Sequence, residues 1–358
     1  MKLLYDFQGF IQPCGGISRY FTEIIKELRD SNEIEIACPF SKNIYLRDTL
    51  GMSPLSFSRG LRLQLLFNEM YCKYKVSRND YDIFHATFDT NFYYKNVIKK
   101  PYVLTFHDLI PEKFMQNNPN WQQMLPIRKE VLRNASRIMC VSQYTRKTLL
   151  EYYPFIDPSK TDCIYHGVYP YTKLYKKNNI GDYILYVGGR KGYKNYQFTI
   201  AALKPLFFKY KELKFICTGV PFTQEEKKQI YDLDLDGRVI NMPYVDDDTL
   251  ASLYHNAKLF IFPSKYEGFG IPILESFTNG CPACISNATC FPEVGADAVS
   301  YFNPNSEEEI RQSVEKLLTD TEYANLLRKK GFERVKHFTW ENAANQVLLS
   351  YNKVTTVH

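Results

Sequence analysis

Glu267 and Glu275 stand eight residues apart around the glycine-rich turn of SKYEGFGIPILE, and Arg190 and Lys194 stand four apart in GGRKGYKN. The run KLFIFPS before the first pair reads as a buried strand, and Pro272 suits the first turn of a helix. Glycines let backbone approach a ligand closely, and the free N–H groups of a helix start attract anions. Carboxylates at the same mouth accept hydrogen bonds from paired hydroxyls. The pattern reads as phosphate on backbone amides with sugar or ribose hydroxyls on the glutamates. The plainer alternative leaves Glu267 in solvent and Glu275 favouring its helix start. Arg190 and Lys194 follow the strand pattern ILYVGG, where a guanidinium fork and an ammonium point charge suit a diphosphate. The alternative there is a basic surface loop, supported by Asn195.

A second set lies in the first half. His107 ends YVLTFH, with Asp108 beside it, and a histidine at a strand end serves as base, donor or structural group. His85 in HAT sits at another strand end and is expected to line the acceptor side, while His166 and Gly167 in YHGV form a boundary turn. Gly15 and Gly16 precede the helical pattern ISRYFTEIIKEL, where Arg19 would hold an anion or face solvent and Ser18 would cap the helix. The GxGxxG spacing of a dinucleotide fingerprint is absent. Glu293 in FPEVGADAV approaches a nucleotide or organises its loop, and Gly295 permits the turn.

Short β-favouring runs alternate with helical patterns twice over, which is the signature of βα units building parallel sheets. The first series runs KLLYD (2–6), EIEIACPF (33–40), YDIFHATF (81–88), YVLTFHDLI (102–110), RIMCVSQ (137–143) and TDCIYHGV (161–168). The second runs YILYVGG (183–189), LKFICTG (213–219), GRVINMPYV (237–245), KLFIFPS (258–264), PACIS (282–286) and AVSYF (298–302). The expected fold is α/β, with two doubly wound Rossmann-like domains facing across a deep cleft. Their expected boundaries are residues 1–170 and 183–338, a patternless linker over 171–182, and a C-terminal helix over 339–358 crossing back to the first domain. Ligands of open α/β sheets bind beyond the carboxyl ends of the strands, where each motif above falls.

At 358 residues the chain is long enough for two cores. An apolar content of 45% with 23% charge is ordinary for a globular protein. The opening MKLLYDFQG has no apolar run of a leader, and nine cysteines are too sparse and odd in number for a disulfide scaffold, so a cytoplasmic protein is expected. Of the net charge of +6, residues 1–170 carry +5 (22 Lys and Arg against 17 Asp and Glu). LRLQLLFNEMYCKYKV (61–76) reads either as a helix pressed on anionic lipid or as one packed on its own domain with a wet basic edge.

SKYEGFGIPILE resembles the glutamate-seven-glutamate motif of the family-four retaining glycosyltransferases, two-domain enzymes of the GT-B type. CGGISRY, LTFHDLIPEKF, VSQYTRKTLL, the YHGV turn, LYVGGRKGYKN and FPEVGADAVSYFNP resemble the same family in order and spacing. The resemblance implies that Glu275 binds the ribose of a nucleotide-sugar and Glu267 the transferred sugar. Amides of Gly268, Phe269, Gly270 and Ile271 would hold sugar and phosphate. Arg190 and Lys194 would neutralise the leaving diphosphate, Gly16 would lie near the donor phosphate, and His107 would reach the transferred sugar. It further implies a bacterial polysaccharide pathway such as O-antigen, capsule or exopolysaccharide synthesis. The donor would be GDP-mannose, with UDP-glucose or a related hexose close behind, and the acceptor a glycan or lipid-linked glycan. Peripheral contact with the anionic inner membrane would follow from such an acceptor.

No metal and no cofactor are expected. Cys281, Cys284 and Cys290 lack a fourth ligand at zinc spacing, and Asp246, Asp247 and Asp248 precede a helix where they suit capping. Nucleic-acid binding is not expected from so small a charge excess without a recognition module. The rival readings are a non-catalytic nucleotide-sugar-binding scaffold and a nucleotide-sugar epimerase or phosphorylase of the same fold.

Overall fold

In the computed structural model, residues 1–56, 60–89, 98–176, 179–243 and 245–355 are described; Lys177 and Asn178 of the expected linker and Tyr244 of an expected strand lie outside them. The chain divides into a first unit, Met1–Gly167 with Thr339–His358, and a second, Val168–Phe338.

The first unit holds six parallel strands: β1 (Lys2–Tyr5), β2 (Glu33–Ile36), β3 (Ile83–Ala86), β4 (Tyr102–Phe106), β5 (Arg137–Cys140) and β6 (Thr161–Cys163), in the order β2-β1-β3-β4-β5-β6. The second holds β7 (Tyr183–Tyr186), β8 (Lys214–Gly219), β9 (Val239–Pro243), β10 (Leu259–Phe262), β11 (Ala283–Ser286) and β12 (Ser300–Phe302), in the order β12-β11-β10-β7-β8-β9. Every pairing is parallel. All twelve lie inside the β-favouring runs, trimmed where the backbone turns out of the sheet. Fully buried strands such as LFIF at β10 explain the continuous apolar runs, since both faces of a parallel sheet are covered.

Each sheet reverses its strand order once. In the first the reversal falls between β1 and β3, and in the second between β7 and β10. Such switch points leave a crevice at the carboxyl ends, because the loops on either side turn to opposite faces.

The C-terminal helix Trp340–Thr355 belongs to the first unit. Ser350 and Lys353 bind Asp162 at 2.7 Å each, and Arg137 reaches the same carboxylate at 2.6 Å. The segment expected as a linker packs on the helix Asp247–Asn256. Lys173 pairs with Asp248 at 2.7 Å, and the Tyr175 ring stacks on His255 at 3.8 Å. Its Tyr, Lys and Asn content reflects a bound surface segment.

Candidate functional site

The loops at the second sheet's switch point carry the opening motifs. The loop after β7 runs through Arg190 to Lys194, and the loop after β10 runs through Glu267 to the helix Ile271–Thr278. The Lys265 amide donates to the Tyr193 carbonyl at 2.8 Å and ties the two loops together. Lys194 Nζ then meets Glu267 Oε1 at 2.5 Å. Both side chains keep partial access to solvent, 21% and 11% exposed, so an incoming anion or hydroxyl can reach them.

The turn that presents Glu267 is fixed from beneath. The Glu267 amide donates to Thr289 Oγ1 at 3.3 Å, and the buried Cys290 thiol donates to the Phe269 carbonyl at 3.1 Å and the Glu267 carbonyl at 3.4 Å. Gly270 caps the helix at φ +99°, a conformation that disfavours any side chain, and a Cβ there would crowd Phe291 and Ile273. Pro272 occupies the first turn as expected. Glu275, half-buried one turn into this helix, accepts from the Tyr254 hydroxyl at 3.2 Å, which orients it. Asn195 adopts φ +61° and its amide donates to the Pro304 carbonyl at 2.7 Å, which supports the Lys194 loop.

Arg190 departs from expectation. Its side chain is 2% exposed and bonds Glu226 at 2.7 Å and 3.3 Å and the Val220 and Pro221 carbonyls at 2.7 Å and 3.0 Å. Glu226 also receives the Thr223 amide at 2.8 Å in a capping box, so Arg190 locks the start of the helix Gln224–Asp232. The guanidinium lies 4.8 Å from the Phe222 ring centre. A four-residue separation does not keep Arg190 with Lys194, because the first turns under the loop and the second out of it. Glu293 holds its loop through its backbone, with its carbonyl accepting from Arg334 at 2.7 Å.

In the first unit, Gly16 begins the helix Gly16–Leu28 and is exposed. Ser18 does not cap it: its hydroxyl donates back to the Gly15 carbonyl at 3.0 Å. His107 leaves β4 with its ring against Tyr20 and Phe21, both centroids at 5.8 Å, and its buried Nε2 has no hydrogen-bond partner among the described residues. Burial, with Arg128 nearby, pushes its pKa down to about 3, so the imidazole is neutral. Asp108, just ahead of the short helix Ile110–Phe114, accepts from the Ile110 amide at 2.9 Å.

His85 does not line a ligand surface. It is 1% exposed and spans Tyr351 at 2.6 Å and Thr105 at 2.9 Å, while the Tyr5 hydroxyl also meets Tyr351 at 2.6 Å. It is a core histidine anchoring the C-terminal helix. Gly167 stands where the chain leaves this unit, and a Cβ there would overlap the backbone of Thr339 and Trp340.

At the first sheet's switch point a pocket of about 180 Å³ opens, with Gln8, Gln12 and Ser18 as polar lining and Ile11, Ile17 and Phe88 as apolar lining. Sequence reading missed this pocket, as it missed Tyr254, Thr289 and Glu226. Only the position of Gln8 just after β1 signalled a ligand surface.

Cys281 and Cys284 are buried, and Cys284 lies inside β11. Among the described residues no group of three or more His, Cys, Asp or Glu side chains is placed to hold a metal ion. Asp246 caps its helix through the Thr249 amide at 2.7 Å, as its position before the helix suggests.

Two family models divide the chain between them. Residues 14–170 match "Glycosyltransferase Family 4" and residues 172–334 match "Glycosyl transferases group 1". The chain is a family-four glycosyltransferase of the GT-B fold. It is 27% identical over 392 residues to O-antigen chain mannosyltransferase B of Escherichia coli, covering 98% of this chain and 99% of that protein. It is 24% identical over 237 residues to O-antigen chain mannosyltransferase RfbU of Salmonella typhimurium, covering 65% and 66%. The crystal structure of Anabaena HepE in complex with UDP and glucose superposes with a TM-score of 0.75 at 18% identity, covering 98% and 99%, and shares the fold. These findings support a glycosyltransferase of polysaccharide biosynthesis.

Proposed function

We propose that this glycosyltransferase moves a hexose, mannose first, from a nucleoside diphosphate sugar to a hydroxyl of a glycan or lipid-linked glycan, with anomeric configuration retained. The observation that carries this reading is the Lys194–Glu267 pair at the switch point between β7 and β10, beside the Gly270 helix start. One cation, one carboxylate and a set of helix-start amides are what a sugar bound to a diphosphate needs.

In this reading the diphosphate takes Lys194 and the amides of Gly268, Phe269, Gly270 and Ile271, while Glu275, held by Tyr254, accepts from the ribose hydroxyls. Glu267 then exchanges Lys194 for hydroxyls of the hexose. Gly16 and His107 keep the places the family resemblance gives them, near donor phosphate and transferred sugar. Neutral His107 uses its unsatisfied Nε2 as a hydrogen-bond partner and moves no proton. The Gln8–Phe88 pocket, with carboxamides for hydroxyls and an aromatic face for a ring, suits an uncharged sugar of the acceptor.

The bond from the anomeric carbon to the diphosphate oxygen breaks as the acceptor oxygen bonds to the same face. The acceptor proton passes to the departing phosphate. Lys194 and the amides meet the charge that develops there, which is where fixed dipoles lower a barrier most. Glu267 orients the sugar and forms no covalent bond. Arg190 is left out of the chemistry.

The likeness to two O-antigen mannosyltransferases supports mannose and a polysaccharide acceptor. Proton NMR of the product from GDP-mannose and a mannose-terminated acceptor tests the reading. An α-linked product with release of GDP is expected; a β-linked product would overturn retention, and turnover only with another donor would overturn mannose.

A further inference from the structure

Asp6 and Thr87 directly follow β1 and β3, the two strands between which the first sheet reverses its order. Both residues are 0% exposed. The Asp6 carboxylate oxygen Oδ1 accepts from the Thr87 hydroxyl, from the Thr87 amide at 3.2 Å and from the Gln8 amide at 3.2 Å. The Thr87 hydroxyl, its proton given to Asp6, accepts in turn from the Gly9 amide at 2.8 Å. A hydroxyl has one proton and two lone pairs, so the carboxylate decides which way it points and the amide takes a side left open. Gly9 comes so close that a Cβ there would meet Thr87 and the Phe21 ring at 3.1 Å.

The same loop is held again further on. Ser41 Oγ donates to the Phe10 carbonyl at 2.6 Å, the Asn43 side-chain amide donates to the Gln12 carbonyl at 2.6 Å, and the Ile44 amide donates to the Pro13 carbonyl at 2.9 Å. Ser41 and Asn43 are buried as well. Satisfied buried hydroxyls and amides add little net stability but define geometry closely. What they define here is the position of Gln8–Pro13, which supplies Gln8, Ile11 and Gln12 to the pocket at this switch point. Phe88, the neighbour of Thr87, lines the same pocket. Thr87 thereby sets where the carboxamides stand relative to the aromatic ring.

We infer that Thr87, oriented by Asp6, is a positioning residue for the acceptor. Buried beneath the loop, it acts through Gly9 and Gln8 by fixing the width of the pocket. The inference rests on the reading of that pocket as the acceptor's subsite. Lys194, Glu267 and Glu275, which carry the donor in that reading, belong to the second unit. Loss of the relay should therefore weaken the acceptor and spare the donor.

Thr87→Val keeps the shape of the side chain and removes the hydroxyl, whereas Thr87→Ser keeps the hydroxyl. Steady-state kinetics with GDP-mannose and the mannose-terminated acceptor should show the acceptor KM of Thr87→Val raised roughly tenfold, with kcat and calorimetric nucleotide-sugar affinity within about threefold of wild type. Thr87→Ser should bring the acceptor KM back near the wild-type value. If Thr87→Val does not fold, Ser41→Ala, which releases the Phe10 carbonyl, should show the same split between acceptor and donor. A lowered melting temperature with an unchanged acceptor KM would make Thr87 structural only and overturn the inference. A fall in donor affinity as large as the rise in acceptor KM would overturn it too. Phe88→Ala separates this failure from failure of the pocket reading. If it raises the acceptor KM and Thr87→Val does not, the positioning role alone falls; if neither variant does, the pocket is not the acceptor's and both fall.

Discussion

Lys194 Nζ and Glu267 Oε1 lie 2.5 Å apart, joining the loop after β7 to the loop after β10 across the point where the strand order of the second sheet reverses. Without ligand each group satisfies the other. In the proposed reaction the donor parts them, giving the ammonium a phosphate and the carboxylate a sugar hydroxyl. The pair therefore keeps two unlike charges poised in a partly dry site at little cost in stability.

On the proposed mechanism Lys194→Gln is expected to lower turnover roughly 10²–10³-fold, since it removes the cation that would meet the leaving group. Steady-state kinetics with a saturating acceptor checks this. A loss below about tenfold would remove Lys194 from charge neutralisation.

Arg190→Met should act on stability and not on the donor. It leaves Glu226 buried without its cation, and breaking such a pair costs about 3–5 kcal/mol. Chemical denaturation should show that loss, while calorimetric nucleotide-sugar affinity at low temperature should change little. A large fall in affinity with stability intact would return Arg190 to the diphosphate.

Acid should destabilise the first unit. Burial pushes the pKa values of His85 and His107 down to about 3, with His107 adding to the effect on His85 and Arg128 to that on His107; burial also holds His166 well below its usual value. These imidazoles stay neutral when folded and gain a proton when unfolded. Stability is then complete above the unfolded histidine pKa of about 6.5 and falls as pH drops below it, by about 1.4 kcal/mol per pH unit for each histidine. Asp89 acts oppositely: burial raises it to about 7, so it favours the folded state as pH falls from there towards about 4. Three histidines outweigh one carboxyl, so the urea midpoint should be lower at pH 5 than at pH 7.5. An unchanged midpoint would contradict the burial of these rings.

Gly167→Ala should loosen the C-terminal helix. Its methyl has no room beside the Thr339–Trp340 backbone, which cannot swing aside as a side-chain tip would. A loss of roughly 3 kcal/mol is expected, with faster proteolysis within 340–355. Wild-type protease resistance would show that the backbone yields there.

The central strands were legible because buried parallel strands write themselves as continuous apolar runs, while the edge strands β2 (EIEI), β6 (TDC) and β9 (VINMP) showed only through their place in the alternation with helical patterns. The Glu267 turn was legible because Gly270 and Pro272 mark a helix start whatever surrounds them. Arg190 was not, since the direction a loop side chain takes depends on a distant partner, here Glu226, thirty-six residues on. His85 failed for a similar reason: strand ends alternate between faces, and Tyr351, its partner, lies at the far end of the chain. The helix Leu61–Ser77 was visible as a mixture of apolar and basic residues. Only the hydrogen bonds from Gln64 and Asn68 to the Phe40 carbonyl told which side was in.

Calorimetric titration of GDP-, UDP- and dTDP-sugars into wild type and Glu275→Ala, with no added metal, tests the donor site most directly. The account predicts micromolar binding of one nucleotide-sugar, GDP-mannose first, weakened roughly tenfold or more when the carboxylate proposed to take the ribose is removed. Equal binding by the two proteins, or no binding by either across the panel, would contradict it.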